Sequence, residues 1–508
     1  MPTDCSASAT ASMPIDKELS PREIENLMDT AGCRIIFYGD SSEDKIGQLG
    51  CADRRIRMEF YGDRTEQSVS MAAHLEAQGG PSASSVATDD WKEMVAAGEQ
   101  LLNSGYDGFT GLETDPEEMS VLLFTSGTTG NPKGVMLSQT AICSIVMDTC
   151  RIAHILPTDK TLSVLPIHHT YECTYGMLLV LYRGASTAFC EGLKYITKNL
   201  SEAQNSVFIA VPMVIELIYD RIWKTAKKQN RVKTLERALS ISKKLRTVGI
   251  DVRRKLFKSI YSNLGGELRI IITGAAALSP KIIRFFEDIG IIVLQGYGLT
   301  ECTPLVSGTP QKAAERYRKA GSVGLAVRSG DIKIIDKDSN GIGRVLFKGD
   351  NVMLGYYNMP EENAKAFIDG WFDTGDRGFT DRDGWLYLAG RDKNVIVTRS
   401  GENVYPEEIE MILNQLPCVT EAMVYAGKRD GQEIIACQVY PDYEFFRETM
   451  GSEMSQDEIQ NYIRDAVKDV NEEMASYKRI KQITVRTEDF IRTTTKKIRR
   501  QDNIPAEE

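Results

Sequence analysis

This sequence lacks long apolar runs and paired cysteines, and it contains few histidines. Nowhere do about eighteen apolar residues follow one another, so no transmembrane helix is expected. The ten cysteines are scattered from Cys5 to Cys437 without a C-x-x-C pair, which argues against a zinc site or a disulfide framework and indicates reduced, cytosolic thiols. Only four histidines occur, among them the neighbours His168 and His169, so a metal centre built from several histidines is not expected.

An excess of positive charge is also missing. The net charge is −10, which argues against a nucleic-acid-binding protein. The N-terminus has neither the basic region nor the apolar region of a signal peptide, and residues 1–19 are rich in Ser, Ala and Thr, so we expect a disordered tail there. With 42% hydrophobic and 26% charged residues the composition is that of a globular protein, and 508 residues favour two or three domains.

A stretch rich in glycine and hydroxyl side chains lies between two apolar runs at residues 124–138, FTSGTTGNPKGVMLS. Glycines let backbone N–H groups approach an anion, hydroxyls donate further hydrogen bonds, and Lys133 adds a positive charge, which together predict a phosphate-binding loop. It is not a Walker A loop, because no hydroxyl residue follows Lys133. A Gly/Ser/Thr linker without a ligand is the plainer alternative, which the ordered spacing G-x-x-G-x-x-K-G disfavours.

Residues 125–134, TSGTTGNPKG, resemble the signature of the adenylate-forming enzymes, which include acyl-CoA synthetases, peptide-synthetase adenylation domains and luciferases. The resemblance implies an α/β fold. A large adenylating domain of mixed α/β sheets, with a small antiparallel β subdomain, is expected to precede a small mobile C-terminal α+β domain. The resemblance further implies ATP and Mg²⁺ as cofactors and CoA as a co-substrate.

A second stretch, 268–301, reads as a strand, a turn of small residues, a helix and a strand that opens into QGYGLTE. The small residues at 274–277 allow a planar ring to approach the backbone, and Tyr297 offers a face on which adenine can stack. Thr300 and Glu301 place a hydroxyl beside a carboxylate, which suits a phosphate oxygen and Mg²⁺. In the family that the chain resembles, the matching Tyr stacks on adenine, Thr binds the α-phosphate and Glu holds the metal.

Two polar residues follow in the same order as in that family. Asp376, predicted to lie in a tight turn bounded by glycines, can accept hydrogen bonds from both hydroxyls of a ribose, and Arg391 can donate to the same sugar. A salt bridge at a surface turn is the plainer interpretation of either residue. The resemblance implies ribose binding by both, a hinge at Lys393 for rotation of the C-terminal domain, and a thiol tunnel lined near Gly401.

The C-terminal sequence IRTTTKKIRR contains the adjacent lysines Lys496 and Lys497. A solvated basic tail is the usual interpretation of such a run. Against the family pattern R-T-x-T-G-K-I, Lys497 occupies the position of the catalytic lysine and Lys496 replaces the glycine. The resemblance therefore implies catalytic roles for Lys497, Thr300 and Glu301, with Glu301 as the metal ligand.

The resemblance implies that the acid substrate lies beside His169, Gly274 and Gly298. His169 lies in the segment PIHHTYECTYG, just after a predicted strand, where open α/β sheets bind ligands. From the residues alone, an ordinary histidine pair on a loop is an equally open interpretation. The residues predicted to bind the nucleotide are Thr125, Ser126, Gly127, Thr128, Thr129, Lys133, Gly274, Ala275, Ala276, Gln295, Gly296, Tyr297, Gly298, Thr300, Asp376, Arg391 and Lys497.

Residues 224–258 are the most basic part of the chain, with 13 lysines and arginines against two acidic residues. Apolar positions recur there at helical spacing, so a solvated helical face is the default interpretation. Contact with an anionic membrane surface is the alternative. An insertion of this kind resembles the long-chain branch of the acyl-CoA synthetases more than the peptide-synthetase branch.

The sequence thus predicts a disordered tail at 1–19, an adenylating domain at 20–392 that is N-terminally shortened relative to the family, and a mobile C-terminal domain at 393–508. The predicted function is ATP-dependent activation of a medium- to long-chain fatty acid and its transfer to CoA, in the cytoplasm or peripherally on the inner membrane face. Two alternatives stay open: an enzyme that loads an acyl or aminoacyl group onto a separate carrier protein, and an inactive truncated homologue.

Overall fold

The computed structural model describes residues 11–58, 88–106, 114–125, 132–398, 402–429, 432–450, 454–492 and 498–505. The chain forms two compact units, Met1–Thr140 with Met353–Asn358, and Ala141–Val352 with Met359–Glu508. Within the described ranges, no helix combines the length and the apolar character that crossing a bilayer requires.

The first unit contains a helix packed on a short parallel sheet. The hydroxyl of Ser20 caps the helix Pro21–Ala31 by accepting from the Glu23 N–H, and the Glu23 carboxylate accepts from the Ser20 N–H at 2.8 Å. Ile24 and Met28 form the buried stripe of this helix. The strands of the sheet are β1 (Ile35–Tyr38), β2 (Arg54–Arg57) and β3 (Thr88–Asp90), and the unit's other helices are Glu43–Ile46 and Trp91–Asn103.

A hairpin forms the second sheet of this unit. Its strands β4 (Met119–Thr125) and β5 (Lys133–Ser138) run antiparallel, and Thr125 lies opposite Lys133 in the register. The short strand β15 (Gly355–Tyr356) pairs with the other edge of β5. The predicted phosphate loop therefore connects two hydrogen-bonded strands.

Part of the predicted disordered tail has defined contacts. The Ser12 N–H donates to the Ser120 carbonyl oxygen at 2.9 Å, and the Leu122 N–H donates to that of Ser12 at 2.9 Å. Ile15 packs against the apolar cluster of the helix Pro21–Ala31 and its sheet. Ser12 thus pairs with the edge strand β4 through backbone hydrogen bonds, which the local composition of the tail does not reveal.

The second unit is built on a seven-stranded sheet. Its strands are β6 (Lys160–Ser163), β7 (Ser186–Phe189), β8 (Val207–Ala210), β9 (Ile270–Thr273), β10 (Ile292–Tyr297), β11 (Ser307–Gly308) and β12 (Leu325–Ala326). The order is β12-β11-β10-β9-β8-β6-β7, parallel from β7 to β10 and antiparallel beyond. β8 and β9 read VFIA and IIIT and are buried along their whole length, as parallel strands covered on both faces require.

Helices pack against this sheet around a core in which Phe208 and Phe286 are fully buried. A bidentate ion pair anchors one of these helices: Arg316 Nε and Nη2 lie 2.6 and 3.0 Å from the buried carboxylate of Glu287. A π-helix spans Glu172–Leu178. The α-helices of this part are Gln139–Ile152, Leu179–Tyr182, Ile196–Ala203, Pro212–Lys228, Val232–Thr247, Arg253–Leu256, Lys258–Asn263 and Pro280–Ile289.

An antiparallel five-stranded sheet follows, as the sequence predicts. Its strands are β13 (Gly330–Ile335), β14 (Gly343–Gly349), β16 (Phe367–Ile368), β17 (Trp371–Thr380) and β18 (Leu386–Arg391), and the helix Pro360–Ala366 precedes β16. The prediction of a tight turn at Asp376 is wrong. Asp376 lies inside β17, because burial alternates along that strand with period two and places Asp376 on the buried side.

The C-terminal part forms a smaller α+β arrangement within the second unit. Two short strands, β19 (Ile396–Val397) and β20 (Asn403–Val404), pair with each other. A separate sheet contains β21 (Val419–Arg429), β22 (Gln432–Pro441) and β23 (Gln482–Val485) in that order, and the helices Pro406–Leu413 and Gln456–Glu473 share its apolar core. Further helices lie at Tyr443–Met450 and Arg500–Asn503. The domain boundary predicted at residues 392 and 393 stays a prediction.

Candidate active site

The carboxylate of Asp376 is the centre of the candidate site in the second unit. Tyr297 Oη donates a hydrogen bond to Asp376 Oδ2 at 2.5 Å, and Arg391 Nε lies 2.7 Å from Oδ1. The strands produce this arrangement: Tyr297 ends β10, and Asp376 lies opposite Arg391 in the register of β17 and β18. Three residues that are distant in sequence thus share one hydrogen-bonded group.

Burial sets the electrostatics of this group. It raises the pKa of Tyr297 well above 10, and the charge of Asp376 raises that pKa further, so Tyr297 remains a neutral donor. The side chain of Asp376 is 8% exposed and that of Arg391 is 46% exposed. Each carboxylate oxygen has more than one lone pair, so Asp376 keeps the capacity to accept hydrogen bonds from a ligand that Arg391 also contacts.

Small residues stand where β9 and β10 end side by side. A β-carbon added to Gly274 would lie 3.3 Å from the carbonyl oxygen of Gly296 and 3.8 Å from the ring of Tyr171. Ala275, the next residue, has φ of +70° in the left-handed region, which is uncommon for a residue other than glycine. The backbones after β9 and at the end of β10 therefore lie close together at the turn where the sequence predicts that a planar ring binds.

Gln295, predicted to bind the nucleotide, uses its side chain within the protein. Its Oε1 accepts from the Leu278 N–H at 3.1 Å, and its Nε2 donates to the Ser322 carbonyl oxygen at 3.3 Å. The residue is 4% exposed. Both the oxygen and the nitrogen of its amide thus form hydrogen bonds with backbone groups near the end of the sheet.

Thr300 and Glu301 lie together in the 3₁₀ turn Thr300–Cys302, and both are partly exposed. The turn is secured by Asn351, a fully buried residue that the sequence reasoning missed. Its Nδ2 donates to the carbonyl oxygens of Cys302 and Leu305 at 2.6 and 2.7 Å. No local motif marks Asn351, because it lies about fifty residues from the turn that it holds.

The segment after β6 approaches the same edge of the sheet. The rings of His168 and His169 lie 4.4 Å apart between centroids, and both side chains are partly exposed. Tyr171 Oη donates to the carbonyl oxygen of Ile272 in β9 at 3.1 Å. The structure thus brings the histidine segment close to Gly274, with Tyr171 as the residue that connects them.

The predicted phosphate loop belongs to the first unit, and only its ends are described. Thr125 Oγ1 donates to the Lys133 carbonyl oxygen at 3.4 Å, and Lys133 Nζ lies 4.9 Å from the centroid of the Tyr356 ring. The predicted residues that lie outside the described ranges are Ser126, Gly127, Thr128, Thr129, Gly401 and Lys497.

Lys393, the predicted hinge, lies in the 3₁₀ turn Asp392–Asn394 directly after β18. Burial lowers its pKa, and the nearby charges of Arg391 and Arg500 lower it further. The neighbouring Asn394 donates to Glu407 Oε1 at 2.6 Å, which links the turn to the helix Pro406–Leu413.

The donor set at Glu301 is compatible with Mg²⁺. In the described ranges, no group of three or more His, Cys, Asp or Glu could hold a metal ion. Mg²⁺ is commonly bound by one or two carboxylates together with the phosphates of a substrate. A single partly exposed carboxylate beside a hydroxyl therefore fits a metal that a nucleotide brings with it.

Residues 5–357 match the family model described as AMP-binding enzyme. The chain belongs to this family. Residues 393–504 match a second model, described as the C-terminal domain of AMP-binding enzymes.

CoA ligases are among the relatives. The chain is 32% identical to long-chain-fatty-acid–CoA ligase 5 of Rattus norvegicus over 330 residues, which are 61% of this chain and 47% of the relative. It is 30% identical to the probable CoA ligase CCL9 of Humulus lupulus over 409 residues, 78% of this chain and 68% of the relative. The chain thus spans about half the length of the first relative and two thirds of the second.

A solved structure of o-succinylbenzoate CoA synthetase from Bacillus subtilis, in complex with ATP and a magnesium ion, is similar with a TM-score of 0.64 and 20% identity. The similarity covers 97% of this chain and 83% of that one. These matches confirm the predicted resemblance to adenylate-forming enzymes and the predicted fold class. The roles of individual site residues stay predictions.

Replacing Gly298 by alanine tests the backbone packing beside Tyr297. A β-carbon there would lie 1.7 Å from the carbonyl oxygen of Pro304, so the turn that carries Thr300 must move. We expect Gly298→Ala to lower the free energy of unfolding by at least about 2 kcal/mol in chemical denaturation. Gly321→Ala is the matched control, since the nearest atom to its added β-carbon is 3.6 Å away. Equal stability of the two variants would contradict the described packing.

Proposed function

We propose that this protein activates a carboxylic acid with ATP and transfers the acyl group to the thiol of CoA, giving acyl-CoA, AMP and pyrophosphate. The observation that carries the proposal is the hydrogen-bonded group of Asp376, Tyr297 and Arg391 at the end of the sheet. It offers a carboxylate for the ribose hydroxyls, an aromatic ring and an exposed guanidinium in one place.

In this proposal each described residue has one task in binding ATP. Asp376 accepts hydrogen bonds from the ribose hydroxyls, and Arg391 donates to the same sugar. Tyr297 stacks against adenine beside the small residue Gly274. Thr300 donates to the α-phosphate. The loop that ends at Lys133 binds the β- and γ-phosphates, which leave as pyrophosphate.

The reaction needs a good leaving group on the acyl carbon. A carboxylate oxygen attacks the α-phosphorus of ATP, the bond between the α-phosphorus and the bridging oxygen breaks, and pyrophosphate departs. The CoA sulfur then attacks the acyl carbon, AMP leaves, and the thiol proton is lost. We assign to Lys497 the stabilisation of charge on the acyl and phosphoryl oxygens during the first step. Mg²⁺ bound at Glu301 would neutralise phosphate charge.

The proposed acid is a medium- to long-chain fatty acid. This part of the proposal is supported by the name of the rat relative, a long-chain-fatty-acid–CoA ligase, at 32% identity. A carrier protein instead of CoA as acceptor is the alternative within the same chemistry. If CoA is the acceptor, its thiol stimulates release of AMP. If a carrier protein is the acceptor, the thiol of the carrier protein does so instead.

AMP release over a panel of acids tests this function. We expect release only with ATP, CoA and a fatty acid, and little with acetate, aromatic acids or amino acids. Asp376→Asn should raise the KM for ATP about tenfold or more, because hydrogen bonds to a charged group contribute roughly 1.5–3 kcal/mol. Asp331→Asn, a change at an exposed aspartate of β13 outside the candidate site, is the control. Turnover with a carrier protein and none with CoA would exclude the ligase in favour of the alternative.

The second step requires a thiol to reach a carbon that Lys497 covers in the first. We propose that the C-terminal part rotates about Lys393 between the steps, which is domain closure about a short hinge. The 3₁₀ turn Asp392–Asn394 supports this assignment, because it is a short connection directly after β18. Gly401 is proposed to line the thiol's path after the rotation.

Lys393→Pro tests the hinge by fixing φ at about −65°. We expect the variant to retain exchange of pyrophosphate into ATP, which reports the first step, and to lose most thioester formation. Lys393→Ala, which leaves the backbone free to rotate, should retain both half-reactions. A parallel loss of both half-reactions in the proline variant would exclude the hinge.

We also propose that the basic stretch 224–258 contacts an anionic membrane surface from the cytoplasmic side. Four large apolar side chains stand exposed among its cations: Ile241 at 49%, Val248 at 68%, Ile250 at 50% and Leu256 at 40%. Some cations are paired within the protein, as Lys243 is with Asp288 at 3.0 Å. The exposed Lys244 and Lys255 flank the apolar turn at 248–250.

All nine cysteines that the structure describes are free thiols, which supports the cytoplasmic location.

Binding to vesicles tests the membrane contact. The double variant Lys244→Gln/Lys255→Gln should partition roughly thirtyfold more weakly onto phosphatidylglycerol vesicles, since each cation near the surface contributes about 1 kcal/mol. Lys468→Gln/Lys481→Gln is the control with the same change in net charge. Vesicles of phosphatidylcholine alone should bind little. Equal binding of the two double variants would rule out this surface as the membrane contact.

A further inference from the structure

An ion pair connects the C-terminal part to a helix that packs on the seven-stranded sheet. Lys224 Nζ lies 2.6 Å from Glu444 Oε2, although the two residues are 220 positions apart in the chain. Lys224 belongs to the helix Pro212–Lys228, and Glu444 belongs to the helix Tyr443–Met450, in the region that matches the C-terminal family model. The mechanism above gives neither residue a role.

Each partner is carried by a helix that is fixed within its own part of the unit. In the helix Pro212–Lys228, Ile215 is fully buried in the core beside the seven-stranded sheet. The helix of Glu444 begins after Asp442, whose Oδ1 accepts from the N–H groups of Glu444 and Phe445 at 2.9 and 3.0 Å. The ion pair therefore depends on the relative position of two packed helices.

Two further contacts fix the same orientation closer to the predicted hinge. Tyr405 Oη donates to Asp338 Oδ2, in the turn between β13 and β14, at 3.2 Å. A β-carbon on Gly390 in β18 would lie 2.4 Å from Glu407 Oε2, so the carboxylate of Glu407 occupies the space over that glycine. The three contacts join the C-terminal part to three different elements, so a rotation about Lys393 cannot keep them all.

Carboxylates of both parts surround Lys224. Burial raises the pKa of Asp220, one turn earlier in the helix, and the charges of Lys224 and Asp442 then act on it in opposite directions. Burial also raises the pKa of Glu216, and the negative charges of Asp220 and Glu421 raise it further. Reversing the charge of Lys224 would therefore add a carboxylate to a contact that already contains several.

The strength of the ion pair suits a contact that has to form and break repeatedly. The side chains of Lys224 and Glu444 are 54% and 58% exposed. Ion pairs this exposed change an equilibrium by about fivefold at most, because water screens the two charges. A contact of that strength can favour one orientation without trapping the protein in it.

We propose that Lys224 and Glu444 are positioning residues, whose ion pair favours the present orientation of the C-terminal part and breaks when that part rotates about Lys393. Neither residue touches a substrate in this role. The inference rests on the proposed function, because it places the rotation between the two half-reactions. The orientation itself can nevertheless be measured without catalysis.

Limited digestion with trypsin, followed by mass spectrometry, measures that orientation. Cleavage after Lys393 requires the turn Asp392–Asn394 to open, and its rate follows the population in which the turn is open. We expect Lys224→Glu and Glu444→Lys each to speed this cleavage about fivefold. The double variant Lys224→Glu/Glu444→Lys should restore the wild-type rate, since it restores a pair of opposite charges. Cleavage after Arg382, in the exposed turn between β17 and β18, is the internal reference.

A charge reversal elsewhere in the C-terminal part is the control. Lys468 forms an equally exposed ion pair with Asp465, at 2.7 Å within one helix, so its partner does not depend on the orientation. Lys468→Glu should leave the rate of cleavage after Lys393 unchanged. Faster cleavage in this variant, to the same extent as in Lys224→Glu, would overturn the proposal, because net charge alone would then explain the effect.

The ratio of the two half-reactions is the second readout. Lys224→Glu and Glu444→Lys should shift the ratio of pyrophosphate exchange to thioester formation about fivefold, in the same direction, and the double variant should restore it. A merely structural role would lower both half-reactions in parallel and leave the ratio unchanged.

Two results would overturn the proposal: unchanged ratios in both single variants, or a double variant that behaves like them. Cleavage after Lys393 that is faster in the single variants and restored in the double variant, with no acid activated by the wild type, would support the contact and reject the proposed function.

Discussion

A single buried carboxylate joins the two sheets on which the candidate site depends. Asp376 belongs to the antiparallel sheet, whereas Tyr297 ends a strand of the mainly parallel sheet, and their hydrogen bond is 2.5 Å long. Removing a carboxylate of this kind from water is unfavourable unless donors replace the water. Tyr297 and Arg391 supply those donors, so the same contacts that make the burial tolerable also bring together the three groups to which we assign ribose and adenine binding.

Contacts within the protein hold the surroundings of that carboxylate in place. Gln295 and Asn351 direct their amides at backbone groups, and Gly298 allows the chain to pass close to the Pro304 carbonyl group. These contacts within the protein support the chain on either side of Thr300 and Glu301. A site that works mainly by positioning depends on supports of this kind as much as on the groups that bind the nucleotide.

The proposed chemistry distributes its tasks over parts of the chain that differ in structure. The predicted phosphate loop connects two strands of the first unit, the groups proposed to bind ribose and adenine lie in the second, and Lys393 stands in a turn after the last strand of the antiparallel sheet. Activation of an acid and its transfer to a thiol need different neighbours around one carbon atom. In the proposal, rotation at the short turn that carries Lys393 meets that requirement.

Much of the architecture and many of the candidate residues could be predicted from sequence. Local signals were sufficient for the apolar strand β9 and for the glycine-rich loop between β4 and β5, because apolar runs and turn chemistry act over a few residues. The order of motifs was sufficient for the family. The turn predicted at Asp376 failed, since the glycines around it sit in a strand whose alternation is visible only once the buried face is known.

The sequence by itself determined which residue types are present, in which order, and hence the family and its expected chemistry. Only the tertiary structure decided that Asp376 is shared by Tyr297 and Arg391, that Asn351 holds the turn of Thr300, and that Glu172 is buried against Gly176. The physical reason is distance along the chain. Local propensities act between neighbours in sequence, whereas strand register, burial and the pairing of buried polar groups are settled by residues that meet only when the sheets have formed.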